Sequence, residues 1–318
     1  MNKILITGAC GQLGSELTAK LREIHGNDAV IATDISEPNP QMGNGPFEHL
    51  DVMKSDQIDE IIGKHQISVI YHLAALLSAS AEQKIDLAWD LNMGGLLNIL
   101  KAARDAQIER VFWPSSIAVF GPDAKKDGTP QNSPCNPATV YGISKLAGEQ
   151  WCAYFHRKFG VDVRSLRYPG LIGYKSLPGG GTTDYAVDIY HKAVQEEPFS
   201  CFLEKNTKLP MMYMDDAVKA TIDLMNAPSE DISIRTSYNI SAISFSPEEI
   251  AESIKKEIPG FNISYAPDHR QDIAASWPNS INDSQARHDW NWKPAFSLDE
   301  MTKEILENLP AFWDIKAV

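Results

Sequence analysis

The sequence predicts an α/β fold: a doubly wound parallel sheet with a smaller, discontinuous C-terminal region beside it. Three observations carry this. Strand-like and helix-like segments alternate without a break from residue 3 to residue 168. A glycine-rich turn joins the first strand to the first helix, and an acidic residue closes the second strand. Strands joined by helices run parallel, because a parallel pairing needs a long crossover. Such a sheet binds ligands at the carboxyl ends of its strands.

Residues 3–7, KILIT, read as a buried strand, and residues 8–14 as the glycine turn. Leu13, Leu17 and Leu21 then recur at helical spacing. Residues 30–33 form a second strand that ends at Asp34. Residues 56–64 are a short helix and 67–72 the next strand. Residues 87–106 read as one long helix with Asn92 inside it. Residues 111–113 form a strand that stops at Pro114-Ser115-Ser116, residues 141–159 a long helix, and 161–168 a strand. Beyond this the pattern loosens. A loop is expected at 178–181, a helix at 183–196, a short strand at 211–214 and a helix at 215–225 that returns to the first sheet. Residues 247–258 and 297–309 have amphipathic helical spacing, whereas the Trp, Pro and Asn content of 277–294 predicts an ordered loop region. The expected division is one unit over 1–170, with 211–240 returning to it, and a substrate-binding cap made of 171–210 and 241–318.

The chain has 318 residues, 43% hydrophobic and 22% charged, the composition of an ordinary globular protein. Its formal net charge of −13 disfavours a nucleic-acid partner, which calls for a basic stripe. Cys10, Cys135, Cys152 and Cys201 have neither redox-motif nor zinc spacing, so reduced thiols and no metal are expected. The first residues run straight into a strand without a signal-peptide pattern. The most apolar stretch, 67–81, is too short for a bilayer and carries His72. A cytoplasmic protein without a membrane partner is therefore expected.

Thr7-Gly8-Ala9-Cys10-Gly11-Gln12-Leu13-Gly14 follows a strand and opens a helix. Glycine permits positive φ and close approach of a pyrophosphate, and the helix N-terminus offers free N–H groups to the anion. Three glycines alone are weak evidence. With Asp34 closing the next strand they point to a dinucleotide, Asp34 accepting from the ribose hydroxyls and repelling a 2′-phosphate, hence NAD rather than NADP. Asp51 and Val52 are expected near the adenine, unless Asp51 is merely a cap. Leu73, Ala74 and Ala75 end a strand at the cofactor edge, and His72 reads as a structural histidine.

Tyr141 and Lys145 stand four apart at a helix start and so share a face. A phenol of pKa about 10 is a poor base at neutrality. Lowering it by roughly 3 units takes about 4 kcal/mol. One ammonium about 4 Å away, at an effective dielectric near 20, supplies about that much. The pair can thus take a proton from an alcohol, provided the cleft is polar enough, because burial opposes the shift. Ser115 and Ser116, at the carboxyl end of the preceding strand, can steer the alcohol oxygen to the phenol.

TGACGQLG, HLAA, Asn92, PSSIAVFG and YGISK together resemble the extended short-chain dehydrogenase/reductase family over essentially the whole chain. The resemblance implies an NAD-binding Rossmann domain with catalytic Ser116, Tyr141 and Lys145. Ser115 would lie beside substrate and cofactor, Lys145 would also hold the nicotinamide ribose, Asn92 would lie against the cofactor, and Tyr168 would pass the nicotinamide. It also implies a homodimer through the two long helices at 87–106 and 141–159. LLSAS at 76–80, PGGGTTDYAVDIY at 178–190, LPMMYMDDAVKAT at 209–221 and SWPNSINDSQARHDWNW at 276–292 are similar to the short-chain L-threonine 3-dehydrogenase branch. That implies oxidation of the 3-hydroxyl of L-threonine to 2-amino-3-oxobutyrate, with Ser78, Thr182 and Trp277 lining the amino-acid pocket. The residues alone stop at secondary-alcohol oxidation. They leave Thr182 open as a helix N-cap and Trp277 as core, and they place Trp290 and Trp292 in the core. A nucleotide-sugar epimerase or dehydratase is the alternative. Relatives of that kind carry an arginine shortly before Y-x-D-D, where this chain has Leu209-Pro210-Met211.

Overall fold

Ile4, Leu5 and Ile6 of β1 (Lys3–Thr7) are buried on both faces of the strand, which places it at the middle of a sheet covered on both sides. The structure, a computed structural model, describes residues 3–38, 40–179 and 181–316. Gly180, in the loop expected at 178–181, lies outside the described residues. After β1 come α1 (Gln12–His25), β2 (Val30–Asp34), β3 (Phe47–His49), α2 (Ser55–His65) and β4 (Ile67–His72). Three short helical pieces follow: α3 (Ser78–Gln83), α4 (Ile85–Trp89) and α5 (Gly95–Asp105). Then come β5 (Arg110–Ser116), α6 (Val140–Phe159), β6 (Val163–Tyr168) and β7 (Gly170–Ile172). The remainder is α7 (Tyr185–Val194), β8 (Phe199–Cys201), β9 (Leu209–Tyr213), α8 (Met214–Asn226), β10 (Tyr238–Asn239), β11 (Ile243–Phe245), α9 (Pro247–Glu257), β12 (Ile263–Tyr265), α10 (Arg270–Ser276), α11 (Ser284–Trp290) and α12 (Leu298–Lys316).

Among the described residues, seven parallel strands form the central sheet in the order β10-β6-β5-β4-β1-β2-β3. The doubly wound α/β class read from the sequence is therefore the observed one. The chain leaves β1 toward β2 and β3, then returns to lay β4 on the other side of β1. The strand order reverses there, and a crevice opens at the carboxyl ends of β1 and β4. A mixed three-stranded sheet, β11-β9-β7, and a parallel pair, β12-β8, build the smaller region.

Several elements differ from expectation. β5 continues through Pro114 to Ser116. Pro114 lies past the end of the pairing with β4, so its missing N–H removes no bond from that ladder. The helix expected at 87–106 is interrupted by a π turn at Asp90–Gly94 that carries Asn92. α7 begins at Tyr185 and stops at Val194, shorter at both ends than 183–196. β9 spans Leu209–Tyr213 and pairs with β7 and β11, outside the central sheet. The region 277–294 is not all loop: α11 lies within it, braced by an Asp283–Arg287 ion pair one turn apart. Trp290 and Trp292 are buried in the core, as expected.

The placement of α6 decides the site. Thr139 caps it, accepting from the Gly142 N–H at 3.1 Å, and Gly160 ends it at φ 75°. α6 lies close against the sheet because glycines face it. A Cβ on Gly142 would meet the Ala118 carbonyl oxygen at 2.2 Å, and one on Gly148 would meet the Trp113 ring at 2.3 Å. Gly148→Ala should therefore push the helix off β5 and lower stability by about 1–3 kcal/mol. Chemical denaturation reads this directly, and an unshifted midpoint would show that the helix is not held by this contact.

Candidate active site

The crevice is a cavity of about 380 Å³, with the glycine turn on one wall and Ser78, Thr182 and Trp277 on another. Ser116, Tyr141 and Lys145 lie between them. Residues far apart in sequence thus meet at the carboxyl ends of the strands.

The turn has the form a pyrophosphate requires. Gly8 takes φ 72°, and a Cβ there would lie 2.6 Å from the Ala74 nitrogen. A Cβ on Gly14 would lie 2.2 Å from the Gly8 oxygen. Each glycine is needed for close passage of backbone, and α1 starts without a side-chain cap, leaving its first N–H groups for an anion. Asp34 accepts from the Cys10 N–H at 2.9 Å and from the Ser36 N–H at 3.0 Å, which fixes its carboxylate beside the turn. Gln12 and Leu13 line the cavity, as do Leu73 and Ala75, while Ala74 abuts Gly8. Gln12 also donates to the Leu177 carbonyl at 3.1 Å, tying the loop after β7 across the turn.

Other residues expected at the cofactor have partners of their own. Asn92 is buried and does not line the cavity. Its side chain accepts from the Leu76 N–H at 2.8 Å and donates to the Leu76 carbonyl at 3.2 Å and the Ser144 hydroxyl at 3.3 Å. It therefore joins the segment between β4 and α3 to α6. Asp51 closes a turn by accepting from the Met53 N–H at 3.0 Å; it does not cap α2, whose cap position is Lys54. Val52 is buried against Gly95. Tyr168 lines the cavity, but its hydroxyl bonds Thr221 of α8. His72 is buried, paired through Nδ1 with Thr7 at 2.7 Å, and pushed down to about 3 by burial and by Lys145. It is neutral and structural.

Tyr141 lies in the first turn of α6 and Lys145 one turn on, so both reach the same space. Lys145 is buried. Its ammonium donates to the Pro114 carbonyl at 2.6 Å and sits 4.6 Å from the Trp113 ring centroid and 5.4 Å from that of Tyr141. Burial pulls its pKa down to about 7, against the opposing pull of Cys152 and Glu149. Burial pushes the Tyr141 phenol up to about 12, against a hydrogen bond with Ser116. The expected drop toward neutrality is thus not present in the free cleft. Desolvation among apolar walls outweighs the neighbouring ammonium.

The two serines divide by strand alternation. The Ser116 hydroxyl accepts from the Ala118 N–H at 3.2 Å and reaches Tyr141. The Ser115 hydroxyl donates to buried Glu149 at 2.6 Å, so although Ser115 lines the cavity, its proton is directed away from it. Sequence reasoning missed Glu149, although it repeats the four-residue spacing one turn past Lys145. Ser78 and Thr182, 104 positions apart, bring their hydroxyls to 3.1 Å, and the Thr182 N–H donates to Ser78 at 3.3 Å. Thr182 is not the cap of α7, whose cap position is Asp184. Trp277 belongs to both readings: it lines the cavity and packs in the core.

This geometry agrees with the relatives. Residues 4–241 match the NAD dependent epimerase/dehydratase family. An uncharacterized epimerase/dehydratase of Staphylococcus aureus strain USA300 is 50% identical over 310 residues, covering 96% of each chain. A partial consensus L-threonine 3-dehydrogenase superposes with a TM-score of 0.96 at 52% identity, covering 97% of this chain and 99% of its own. The holo form of a GalE-like L-threonine dehydrogenase from Cupriavidus necator superposes with a TM-score of 0.94 at 52% identity, covering 96% and 99%. The chain belongs to the NAD-dependent epimerase/dehydratase family, within the extended short-chain dehydrogenases/reductases, and binds NAD.

Asp34→Ala removes the carboxylate that accepts from the turn and that would meet the ribose. The apparent affinity for NAD should fall about tenfold or more, as expected for loss of hydrogen bonds to a charged group. Discrimination against NADP should relax. Cofactor titrations by NADH and NADPH fluorescence read both, and an unchanged ratio would remove Asp34 from ribose recognition.

Proposed function

We propose that this chain oxidises the 3-hydroxyl of L-threonine to 2-amino-3-oxobutyrate with NAD. The observation that carries the reading is the small cavity in which the Ser78–Thr182 hydroxyl pair and Trp277 face Ser116, Tyr141 and Lys145. Half-identical, full-length likeness to L-threonine dehydrogenases supports it. Among the described residues lining the cavity there is no arginine to grip a diphosphate, and Leu209-Pro210-Met211 are buried in β9, which speaks against a nucleotide sugar.

In this reading Ser78 and Thr182 hold the amino-acid end of the substrate, and Trp277 closes the pocket over it. The Ser116 hydroxyl bonds the substrate oxygen and brings it to Tyr141. Tyr141, as phenolate, takes the hydroxyl proton, and the Lys145 ammonium lowers the energy of that phenolate. NAD, when bound, supplies the hydride acceptor. The glycine turn would hold the dinucleotide, and Asp34 would accept from its ribose hydroxyls.

The same reading makes the chain a cytoplasmic homodimer. Among the described residues no helix is long and apolar enough to cross a membrane. Ile85, Leu87 and Trp89 of α4 and Ile143, Trp151 and Tyr154 of α6 are exposed, and the two helices touch. Exposed apolar side chains gathered on neighbouring helices mark an interface.

Purified protein with NAD and L-threonine should generate NADH absorbance. Tyr141→Phe should cut kcat by about a hundredfold to ten-thousandfold while NADH still binds. Lack of NADH formation by a protein that binds NAD would sink the substrate assignment, and near-normal kcat in the variant would sink the base. Phenolate and ammonium coexist only once the pair has lost one proton, and Lys145 places that loss near 7, so the oxidation rate should climb as pH rises through neutrality and then level in the alkaline range. A rate falling over that range would contradict the assignment. Sedimentation should show a dimer that Leu87→Asp with Trp151→Glu converts to a folded monomer; a monomeric parent would rule the interface out.

A further inference from the structure

Glu149 is fully buried one helical turn beyond Lys145, on the same stripe of α6. Three donors hold its carboxylate: the Ser115 hydroxyl at 2.6 Å, and Arg167 through Nε at 2.8 Å and Nη2 at 2.7 Å. Arg167 is itself fixed by the Gln131 carbonyl and the Asn239 side chain, each at 3.1 Å, and its guanidinium lies over the Phe120 ring. A carboxylate taken fully out of water persists only when paired and hydrogen-bonded, and this one is both. We propose that Glu149 is a positioning residue that keeps the Lys145 ammonium charged inside the cleft and, through Ser115, aims the end of β5 at Tyr141. The proposal rests on the reading of Tyr141 and Lys145 as the catalytic pair.

The groups packed around Lys145 leave this task to Glu149. From β4, His72 is neutral. From β5, Lys145 meets the Pro114 carbonyl and the Trp113 ring, which favour a cation but carry no full charge. On α6 itself, Tyr141 is a phenol; Cys152 would hold the lysine charged only as a thiolate, and burial keeps it a thiol, so at neutrality that pull is absent and the one from Glu149 remains. From β6, Arg167 adds a second positive charge, engaged by both oxygens of Glu149. Cys135, near that pair, is held as a thiol by burial. Glu149 is thus one carboxylate serving two buried cations.

The test is an NMR titration of protein labelled with heavy carbon at lysine Cε, in which the Lys145 signal is assigned by Lys145→Arg. This needs no substrate, so a chain that failed to oxidise L-threonine would still show whether Glu149 sets the Lys145 midpoint. That midpoint in the parent should lie near neutrality. In Glu149→Gln, whose one amide oxygen can still accept from Ser115 and from Arg167 Nε while its NH2 group faces Nη2, it should fall by about one to two units, the value of a charge one helical turn away at an effective dielectric near 20. Should Glu149→Gln not fold, Glu149→Asp withdraws the charge by one methylene and should lower the midpoint by less. An unmoved midpoint in the folded variant overturns the proposal. Ser115→Ala should leave the midpoint in place; a shift equal to that of Glu149→Gln would assign the effect to the hydroxyl and overturn it as well. In the parent's alcohol oxidation, Glu149→Gln should also cost about tenfold or more in kcat with little change in KM, whereas an unaltered kcat counts against it.

Discussion

The site depends on one costly act, the burial of the Lys145 ammonium between α6 and β5. A bare cation there would shed its proton, and the pull down to about 7 measures how far burial has gone. What keeps it workable is local: a carbonyl at 2.6 Å, an aromatic face at 4.6 Å, and a carboxylate one helical turn away. The carbonyl and the ring belong to β5, and neither could reach Lys145 if α6 stood at an ordinary distance from the sheet. Gly142 and Gly148 remove the Cβ atoms that would hold it off. Two glycines in the helix, each a conformational weakness by itself, are therefore the condition for the charge chemistry next to them.

The central sheet supplies only half of the cavity. The reversal of strand order at β1 and β4 opens the crevice, and the glycine turn lines it. The other wall comes from α3, from the chain between β7 and α7, and from Trp277 after α10. These segments are tied back by specific bonds: Gln12 to Leu177, Lys175 to Glu16, and Lys126 to the carbonyls of Ala275 and Trp277. The parts that would choose a substrate are thus fastened directly to the parts that hold the dinucleotide.

How much of this the sequence disclosed follows from the range of each interaction. The strand–helix alternation, the glycine turn and the Tyr141–Lys145 spacing are local patterns, and all are legible. Alternation along β5 would have separated Ser115 from Ser116, but two adjacent identical residues hide the distinction. Asn92 reads as an ordinary helical residue because a π turn leaves no mark in apolar periodicity. Strands of two or three residues, such as β8 and β10, are too short to alternate, and their pairing with β12 and β6 is a tertiary fact. The Ser78–Thr182 contact spans 104 positions, and nothing local announces it.

The free cleft sets a further constraint on any chemistry done there. Burial moves the phenol up and the ammonium down, so both partners are driven toward their neutral forms. In a coupled pair, the population holding phenolate and ammonium together depends on the gap between the two affinities. Desolvation widens that gap, and only added charge can narrow it. A negative group acts from the lysine side, raising the affinity of the amine for its proton, as Glu149 does. A positive group in the cavity acts from the tyrosine side, and the oxidised nicotinamide ring carries such a charge. Two remedies at opposite ends of the pair suit a cleft with apolar walls: the carboxylate is permanent and built into the helix, and the second charge arrives with the cofactor.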